Sequence, residues 1–403
     1  MSSAPTVLLG RSTASSAARV ESLGLYRAAL WVLLAANLLV GWGVQWDIQW
    51  HVQIGRDSFW IPPHLMTYAG VTIAVLISFG VLACDTLRHL VAGRLPAGTT
   101  RIFRLTGTPG FHLAAWGIAL TVLAAPIDDL WHRLFGLDVT LWSPPHLLGL
   151  FGVAINTLAC LLIAREAYPA TSWARYVGVV VAASLFYGSL AVALRPSGRL
   201  AYLYGGSWFY TYPILGALLL PLALVTAARV TGRRFAPLVV LILVIAAGML
   251  GASIARVGFA ILQPVSVIQE EAAKDPTSPI AVSDEIARKN RSTPGGPVGG
   301  NFGRLLAFAP VVLLVALDPR RRPVAATLVY AVGLFAVWGV TIGRTPAFQP
   351  MVPGPGPTAA ALLITLAMAL VGGVAAHWLA NSLTRAARVP APPVNASDAR
   401  SGR

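Results

Sequence analysis

Apolar stretches of about 20 residues recur along this chain from one end to the other. A helix of about that length crosses the roughly 30 Å hydrocarbon core of a bilayer. The composition agrees, because 56% of the residues are hydrophobic and only 11% are charged, whereas soluble domains carry roughly 25% charged residues. The stretches cover about residues 25–46, 61–83, 107–127, 143–164, 173–194, 206–228, 236–262, 303–317, 324–343 and 358–381. The sequence therefore predicts an all-α, polytopic membrane helix bundle of about ten transmembrane helices.

The net charge of +15 follows the connections between these stretches. With a cytoplasmic N-terminus, most of the 30 Lys and Arg residues fall in segments on the cytoplasmic side, such as the run at 320–322. This is the positive-inside pattern of multi-pass proteins. It predicts both termini in the cytoplasm and a place in the inner (plasma) membrane. It also favours the lipid bilayer over a nucleic acid as the partner of the basic residues.

Composition and motifs divide the chain into four regions. Residues 1–24 are rich in Ser and Ala and are predicted to form a disordered cytoplasmic tail, as is the stretch 389–403. Residues 25–164 hold four helices and a repeated motif. Residues 165–388 hold the additional transmembrane helices and a long outer loop at 264–302, and loops of this length are usually functional or disordered.

The repeated motif is the feature most informative about function. It reads WDIQWHVQIGRDSFWIPPH at 46–64 and IDDLWHRLFGLDVTLWSPPH at 127–146, with one extra residue in the second spacer. In both copies it falls in the outer turn between two predicted helices. The corresponding residues are Asp47, His51 and His64 in the first copy and Asp128, His132 and His146 in the second.

The spacing predicts that each set of three converges. An Asp and a His four residues apart lie on one face of a helix, and a following Gly is a natural helix end. Pro-Pro is tolerated in the first turn of the next helix, which places the His after it opposite the first pair. A carboxylate and two imidazoles with open coordination positions describe a catalytic metal site. Paired interfacial Asp and His side chains are the alternative, but the duplication and the usual functional role of ionisable groups in membrane spans favour metal binding.

The residue types alone leave the metal open, because two His and one carboxylate suit iron, zinc and copper. A haem with paired axial His ranks lowest, since it gives the Asp no role. Aromatic residues flank both copies, either as interfacial anchors or as a lining. Asp57, Asp129 and Asp138 are candidates to accept hydrogen bonds from the ligating imidazoles and fix their orientation.

Both spacers resemble the two copper-site motifs in the C subunit of particulate methane and ammonia monooxygenases. The resemblance covers about residues 25–165. Asp47, His51 and His64 match the first motif of that family in full. His132 and His146 match the second, but Asp128 stands where the family has Asn, which adds a charge at that site.

The resemblance implies a membrane-bound copper-dependent monooxygenase that uses O2 to hydroxylate a small apolar substrate near the outer membrane face. It also implies partner subunits or a homo-oligomer, and it leaves the substrate, the electron donor and the catalytic copy open. A non-catalytic membrane copper-binding or copper-handling protein is the alternative. The two copies run in parallel and cluster at one face, which weighs against the inverted repeats of many transporters.

Overall fold

Long α-helices packed side by side form nearly all of the regular structure. The computed structural model describes residues 6–54, 58–93, 95–96, 98–136, 141–266, 268–279, 281–282, 285 and 305–386. The helices with described bounds are α1 (Thr6–Gln53), α2 (Pro62–Ala92), α3 (Pro109–Phe135), α4 (Pro144–Ala167), α5 (Trp173–Ala193), α6 (Ser197–Tyr204), α7 (Thr211–Thr231), α8 (Ala236–Leu262), α9 (Ile268–Lys274), α10 (Phe308–Ala316), α11 (Pro323–Thr341) and α12 (Pro355–Ala386). The prediction of an all-α bundle of membrane-length helices is confirmed.

Nine helices in the described part of the chain are long and apolar enough to cross a membrane. The eighth predicted stretch, 303–317, contains α10, which has nine residues. At 1.5 Å per residue this helix is about 14 Å long, which is too short to cross a bilayer alone. Residues 303–304 of that stretch lie outside the described residues.

The first helix begins well before the first apolar stretch. Its backbone is helical from Thr6, whereas the sequence predicts a disordered tail over residues 1–24. The segment between Ser15 and Glu21 contains Ala17, Ala18 and Arg19, which are favourable in helices, so the helix continues toward the N-terminus beyond its apolar part. The second predicted tail, 389–403, lies outside the described residues.

One end of the bundle is closed by arginine side chains, and we call it the basic end. These guanidinium groups donate hydrogen bonds that tie the helix ends together, a use that suits a planar group with five donors. The contacts are Arg27 to the carbonyl of Ala167, Arg88 to Ser22, Arg165 to Thr384, and Arg229 to the carbonyl of Arg320. The helices alternate in direction, so the turns that carry the repeated motif lie at the opposite end, which we call the motif end.

The β-hairpin between α2 and α3 is the one sheet in the described residues. Its strands, Thr100–Ile102 and Leu105–Gly107, pair antiparallel with Arg101 opposite Thr106. Phe103 and Arg104 both have positive φ, as a two-residue hairpin turn of the type I′ family requires. This turn could not be predicted from the residues, because such turns usually contain Asn or Gly.

The two motif-bearing hairpins, α1–α2 and α3–α4, cross in the same way. Gly70 of α2 packs on the backbone of α1, so that a methyl group built there would lie 2.8 Å from the carbonyl oxygen of Ala36. Gly152 of α4 packs on α3, where the same methyl group would lie 2.6 Å from the carbonyl oxygen of Gly117. Each glycine lies six residues after the Pro-Pro-His histidine, and each facing residue lies eleven before the motif aspartate. The repeat therefore extends from the ligands into the packing of the helices.

A polar link joins the two hairpins inside the apolar core. Asn37 of α1 donates to the side-chain oxygen of Asn156 on α4 at 2.7 Å, and Asn156 donates to the carbonyl of Ala114 on α3 at 2.8 Å. Both asparagines are buried. Buried amides must be hydrogen-bonded to avoid a desolvation cost, so this pair fixes the relative position of the two hairpins.

Hydrogen bonds to α8 and α5 hold the two motif turns in place. On α1, Trp42 and Gln45 donate to the carbonyls of Ala247 and Gly248 on α8, at 2.9 and 3.0 Å. Small residues on α8 permit this close approach, as in other membrane helix pairs. In the second turn, Trp142 donates to the carbonyl of Ala193 at the end of α5, at 2.6 Å.

Candidate metal centre

Asp47 and His51 lie on one face of the last turns of α1. The helix continues to Gln53, as the absence of a breaker predicts. The two residues are four apart and their side chains meet, with His51 Nδ1 at 3.2 Å from Asp47 Oδ1. The same ring nitrogen lies 3.0 Å from the backbone oxygen of Asp47. The end of the helix therefore presents a carboxylate and an imidazole together.

The third residue of this set comes from the start of α2. Ile61 has an extended backbone, and Pro62 and Pro63 occupy the first turn, where their missing N–H groups cost nothing. His64 follows and points back at α1, with its Nε2 at 3.0 Å from Asp47 Oδ1. The rings of His51 and His64 are 6.0 Å apart. We call Asp47, His51 and His64 the first trio.

The second motif copy forms an equivalent trio. Asp128 Oδ2 lies 3.4 Å from His132 Nε2, and Asp128 Oδ1 lies 3.4 Å from His146 Nε2. Gly136 ends α3 with a φ of 82°, a conformation that favours glycine. Pro144 and Pro145 then open α4. We call Asp128, His132 and His146 the second trio.

The geometry of both trios fits a shared metal ion. In each, one ligand atom from every residue lies within 4.8 Å of the other two. Ligands at about 2.1 Å from a tetrahedral ion are separated by about 3.4 Å, close to the Asp–His distances here. The six side chains are between 18% and 32% exposed, so each trio leaves room for a further ligand. The predicted convergence of both sets is thus found in the structure.

The two trios differ in which imidazole nitrogen faces the carboxylate. His132 turns Nε2 toward Asp128, while its Nδ1 lies 3.2 Å from the carbonyl oxygen of Gly136. A proton on Nδ1 donated to that carbonyl leaves the Nε2 lone pair available to a metal. His51 instead turns Nδ1 toward Asp47. Both rings have a backbone acceptor, but only in His132 does it contact the nitrogen that is turned away from the carboxylate.

Three of the flanking aromatic residues, Trp46, Trp50 and Trp142, contact later helices. Trp46 and Trp50 turn away from the ligands and pack on Phe259 of α8, with Trp50 stacked at 5.7 Å. Trp131 packs on Phe135 at 4.4 Å. Trp46 and Trp50 are buried, so both act in helix packing and neither is an exposed anchor at the bilayer interface.

Tyr68 is a neighbour of the first trio that the motif did not indicate. It lies one turn after His64, and the two rings are 5.8 Å apart. Phe59 packs on its other side at 6.0 Å. The i, i+4 spacing from a ligand was the available sequence signal. The equivalent residue of the second copy is Leu150, so the phenol distinguishes the first trio.

Three aspartates were predicted to accept hydrogen bonds from the ligating imidazoles, and only one of them lies in the described residues. Asp129 pairs with Arg133, also on α3, at 2.7 Å, on the more exposed side of the helix. This ion pair directs its carboxylate to Arg133 instead of a ligating imidazole. Asp57 and Asp138 lie outside the described residues.

Exposed apolar side chains cover the outer surface of α3 and α4, the two helices that carry the second trio. Leu130, Leu134 and Phe135 project from the last turns of α3, and Leu147 and Phe151 project from α4. Large exposed apolar areas mark contact with a membrane or with another molecule. The hairpin that carries the second trio therefore presents a surface suited to lipid chains.

No protein family model, no curated protein and no solved structure matches this chain. The functional argument therefore rests on the two trios and their surroundings.

Proposed function

We propose that this chain is a copper-dependent monooxygenase-like membrane protein that hydroxylates a small apolar substrate with O2. The observation that supports this most directly is the pair of trios, each of one carboxylate and two imidazoles, at the same end of the bundle. Two imidazoles and a carboxylate suit copper, iron and zinc. The resemblance of the spacers to the copper motifs of the monooxygenase C subunit selects copper among them.

Each residue of a trio has a definite task in this proposal. Asp47 and Asp128 supply negative charge and bridge the two histidines of their own trio. The two histidines of a trio lie on the two helices of one hairpin, so both helices would contribute a ligand to the same ion. Bound copper supplies the one-electron chemistry needed to reduce O2. The helices supply a partly buried site in which coordination positions stay open.

The surroundings of the second trio suit an apolar substrate that arrives from the membrane. Leu134, Phe135 and Phe151 are exposed on the two helices that carry this trio, so apolar molecules dissolved in lipid would meet this hairpin from its outer surface. We propose the second trio as the site of substrate oxidation and the first trio, whose turn packs against α8, as a supporting site.

The proposed orientation puts the basic end in the cytoplasm and both trios near the outer face of the inner membrane. The arginines that close the basic end support this orientation through the positive-inside rule. Arg27 of α1 and Thr384 of α12 both make their contacts at the basic end, so both termini would be cytoplasmic. Electrons and any missing metal centre would then come from partner subunits.

Copper handling without catalysis is the second candidate function. The partial exposure of all six ligands favours it, because bound metal at such a site exchanges with soluble carriers. In this case both trios would store or pass copper and neither would turn over O2.

Metal analysis of the purified full chain tests the ligand assignment. We expect two copper ions per chain, and one after either His51→Ala or His132→Ala. His377→Ala is the matched control, because His377 contacts Asn381 near the basic end and lies in neither trio. Zinc or iron in place of copper, or unchanged metal content in both variants, would contradict the proposal.

Turnover separates the two candidate functions. Copper-loaded protein in bilayer discs is supplied with a chemical reductant, a short alkane and isotopically labelled O2. A monooxygenase incorporates one labelled oxygen atom into the product, and His132→Ala abolishes this. A copper handler releases its metal to a chelator within minutes and forms no labelled product.

A further inference from the structure

A cavity at the basic end lies between the start of α5 and the end of α7, far from the trios. Its volume is about 470 Å³, within the range of roughly 300–1,000 Å³ that is typical of small-molecule sites. Arg175, Arg229 and Arg233 line it together with Trp173 and Tyr176. None of its lining residues is acidic. The cavity is therefore strongly positive.

The three guanidinium groups of this cavity have no carboxylate partner among the described residues. Arg229 donates to the carbonyl of Arg320 at 2.6 Å and to Asn381 at 3.0 Å. Both contacts hold its position and neither compensates its charge. Arg233 lies over the ring of Tyr176 at 4.3 Å, an arrangement that orients a cation over an aromatic face.

The start of α5 adds to the positive potential. Ser172 precedes the helix, and its side chain makes no capping hydrogen bond. The first N–H groups of a helix that lack internal acceptors attract anions, and the helix dipole favours negative charge there. The helix has 21 residues, so its dipole is fully developed. Arg175 lies within this first turn and lines the same cavity.

Three arginines, free helix N–H groups and no acid form a site for an anion with several oxygens. Arginine binds phosphate through paired hydrogen bonds that match its planar geometry. Basic pockets between the ends of transmembrane helices bind the headgroups of anionic lipids. Trp173 lines the cavity and is largely exposed. Phe235, two residues after Arg233, is also exposed. The acyl chains of a lipid would pass along these two side chains.

We propose that this cavity binds a phosphate group, supplied by the headgroup of an anionic phospholipid. Arg175 and Arg233 hold the phosphate oxygens, and Arg229 fixes the depth of the site. The bound lipid joins the α4–α5 turn to the α7–α8 turn. Phosphate from a soluble phosphoester has the same chemistry, and the experiment distinguishes the two sources.

The test measures lipid retention by the full chain in native mass spectrometry. Purified protein is exchanged into detergent and titrated with phosphatidylglycerol, phosphatidylcholine, inorganic phosphate or glycerol 3-phosphate. We expect one phosphatidylglycerol to bind with an affinity at least tenfold above that of phosphatidylcholine. The double variant R175Q/R233Q should lose at least tenfold in this affinity, since charge-assisted hydrogen bonds of this kind typically contribute 1.5–3 kcal/mol.

Arg234→Gln is the matched control, because Arg234 has the same charge in the same turn but packs over Phe235 and does not line the cavity. Its affinity for phosphatidylglycerol should stay within about twofold of the parent protein. R175K/R233K should restore part of the loss, which separates charge from folding. Equal losses in R234Q and R175Q/R233Q, or equal binding of phosphatidylcholine, would overturn the proposal. Saturation by glycerol 3-phosphate at millimolar concentration would support the phosphate site with a soluble source.

Discussion

At the scale of single residues, the two aspartates differ in how they would share a metal ion with their histidines. Asp47 contacts both of its histidines through one oxygen, whereas Asp128 uses Oδ1 for His146 and Oδ2 for His132. In the first trio, the oxygen that faces both imidazoles is the one placed to share an ion with them. The two trios are therefore alike in residue type and different in the way their carboxylates are used.

Replacing either aspartate by asparagine keeps its shape and removes its charge. We expect D47N and D128N each to weaken metal binding at its own trio by roughly ten- to a hundredfold, because the ion loses an anionic ligand. Titration with a competing copper chelator measures each affinity. D129N is the control, since Asp129 pairs with Arg133. An unchanged affinity in D47N and D128N would show that the carboxylates do not bind the metal.

The ligands could be predicted from the sequence because their spacing fits one helix turn and one helix start. Their surroundings could not be predicted in the same way. The contact of Tyr68 with His64 depends on how Phe59 packs beside it, and the pairing of Asp129 with Arg133 depends on which side of α3 faces outward. Such contacts are determined by tertiary packing, which the motif does not encode.

At the scale of helices, small residues determine how closely the two helices of each hairpin approach each other. Gly70 touches the backbone of α1, while Gly80 on the same helix has nothing within 4 Å of an added methyl group. The distance between His64 and the α1 ligands follows from this crossing. The helix pair therefore positions the first trio through one close contact.

Gly70→Ala tests this close contact, and Gly80→Ala is its matched control. We expect G70A to lower stability by about 1–3 kcal/mol, as overpacking does, although Ala is the better helix former by about 1 kcal/mol. G80A should leave stability unchanged or raise it. Thermal unfolding in detergent measures both. A G70A protein as stable as the parent would show that the crossing adjusts without cost.

The turn between α10 and α11 is held by an ion pair outside the membrane spans. Arg320 donates to both oxygens of Asp318 at 2.8 Å and to the carbonyl of Gly232, which joins this turn to the α7–α8 turn. These hydrogen bonds lower the pKa of Asp318 from 3.8 to about 2. A lowered pKa means that the pair stabilises the folded chain above about pH 4 and stops doing so as the pH falls to about 2.

Asp318→Asn isolates this contribution. Asp318 has a positive φ of 48°, and Asn tolerates that conformation, so D318N removes charge with little backbone strain. We expect D318N to unfold at a lower temperature than the parent at pH 7, with a difference that shrinks from about pH 4 and vanishes near pH 2. Thermal unfolding in detergent across this pH range measures it. A constant difference down to pH 2 would contradict the assignment.

Some elements were predicted from the sequence more accurately than others. Residues 236–262 were predicted as an apolar span and are α8 without change, because the one proline lies in the first turn and a long apolar segment satisfies its backbone in a bilayer as a helix. The hairpin at Thr100–Gly107 was missed, since Phe103 and Arg104 are unusual in its turn. The start of α1 was placed too late, because the prediction followed apolarity and the helix continues through a polar segment.

At the scale of the whole molecule, the helices after the first four support the motif turns. Ser266, just after α8, donates to the carbonyl of Gln53 at the end of α1. Trp46 and Trp50 are buried between α1 and α8, and Ala255 and Phe259 complete this cluster. The motif could not indicate this arrangement, since the contacts join residues more than 200 positions apart. The later helices therefore provide contacts that fix the first trio.

Gly258→Leu tests whether this support reaches the ligands. A methyl group at Gly258 would lie 2.6 Å from Cη2 of Trp46, so a larger side chain must displace the indole that precedes Asp47. We expect G258L to weaken copper binding at the first trio at least tenfold and to leave the second trio unchanged, because α8 packs on α1 and α3 lies in the other hairpin. Gly248→Ala is the matched control, with nothing within 4 Å of the added group. Copper titration of G258L in the H51A and H132A backgrounds assigns the loss to one trio. Equal losses at both trios would show general unfolding, and no loss would show that the end of α1 holds its ligands without α8.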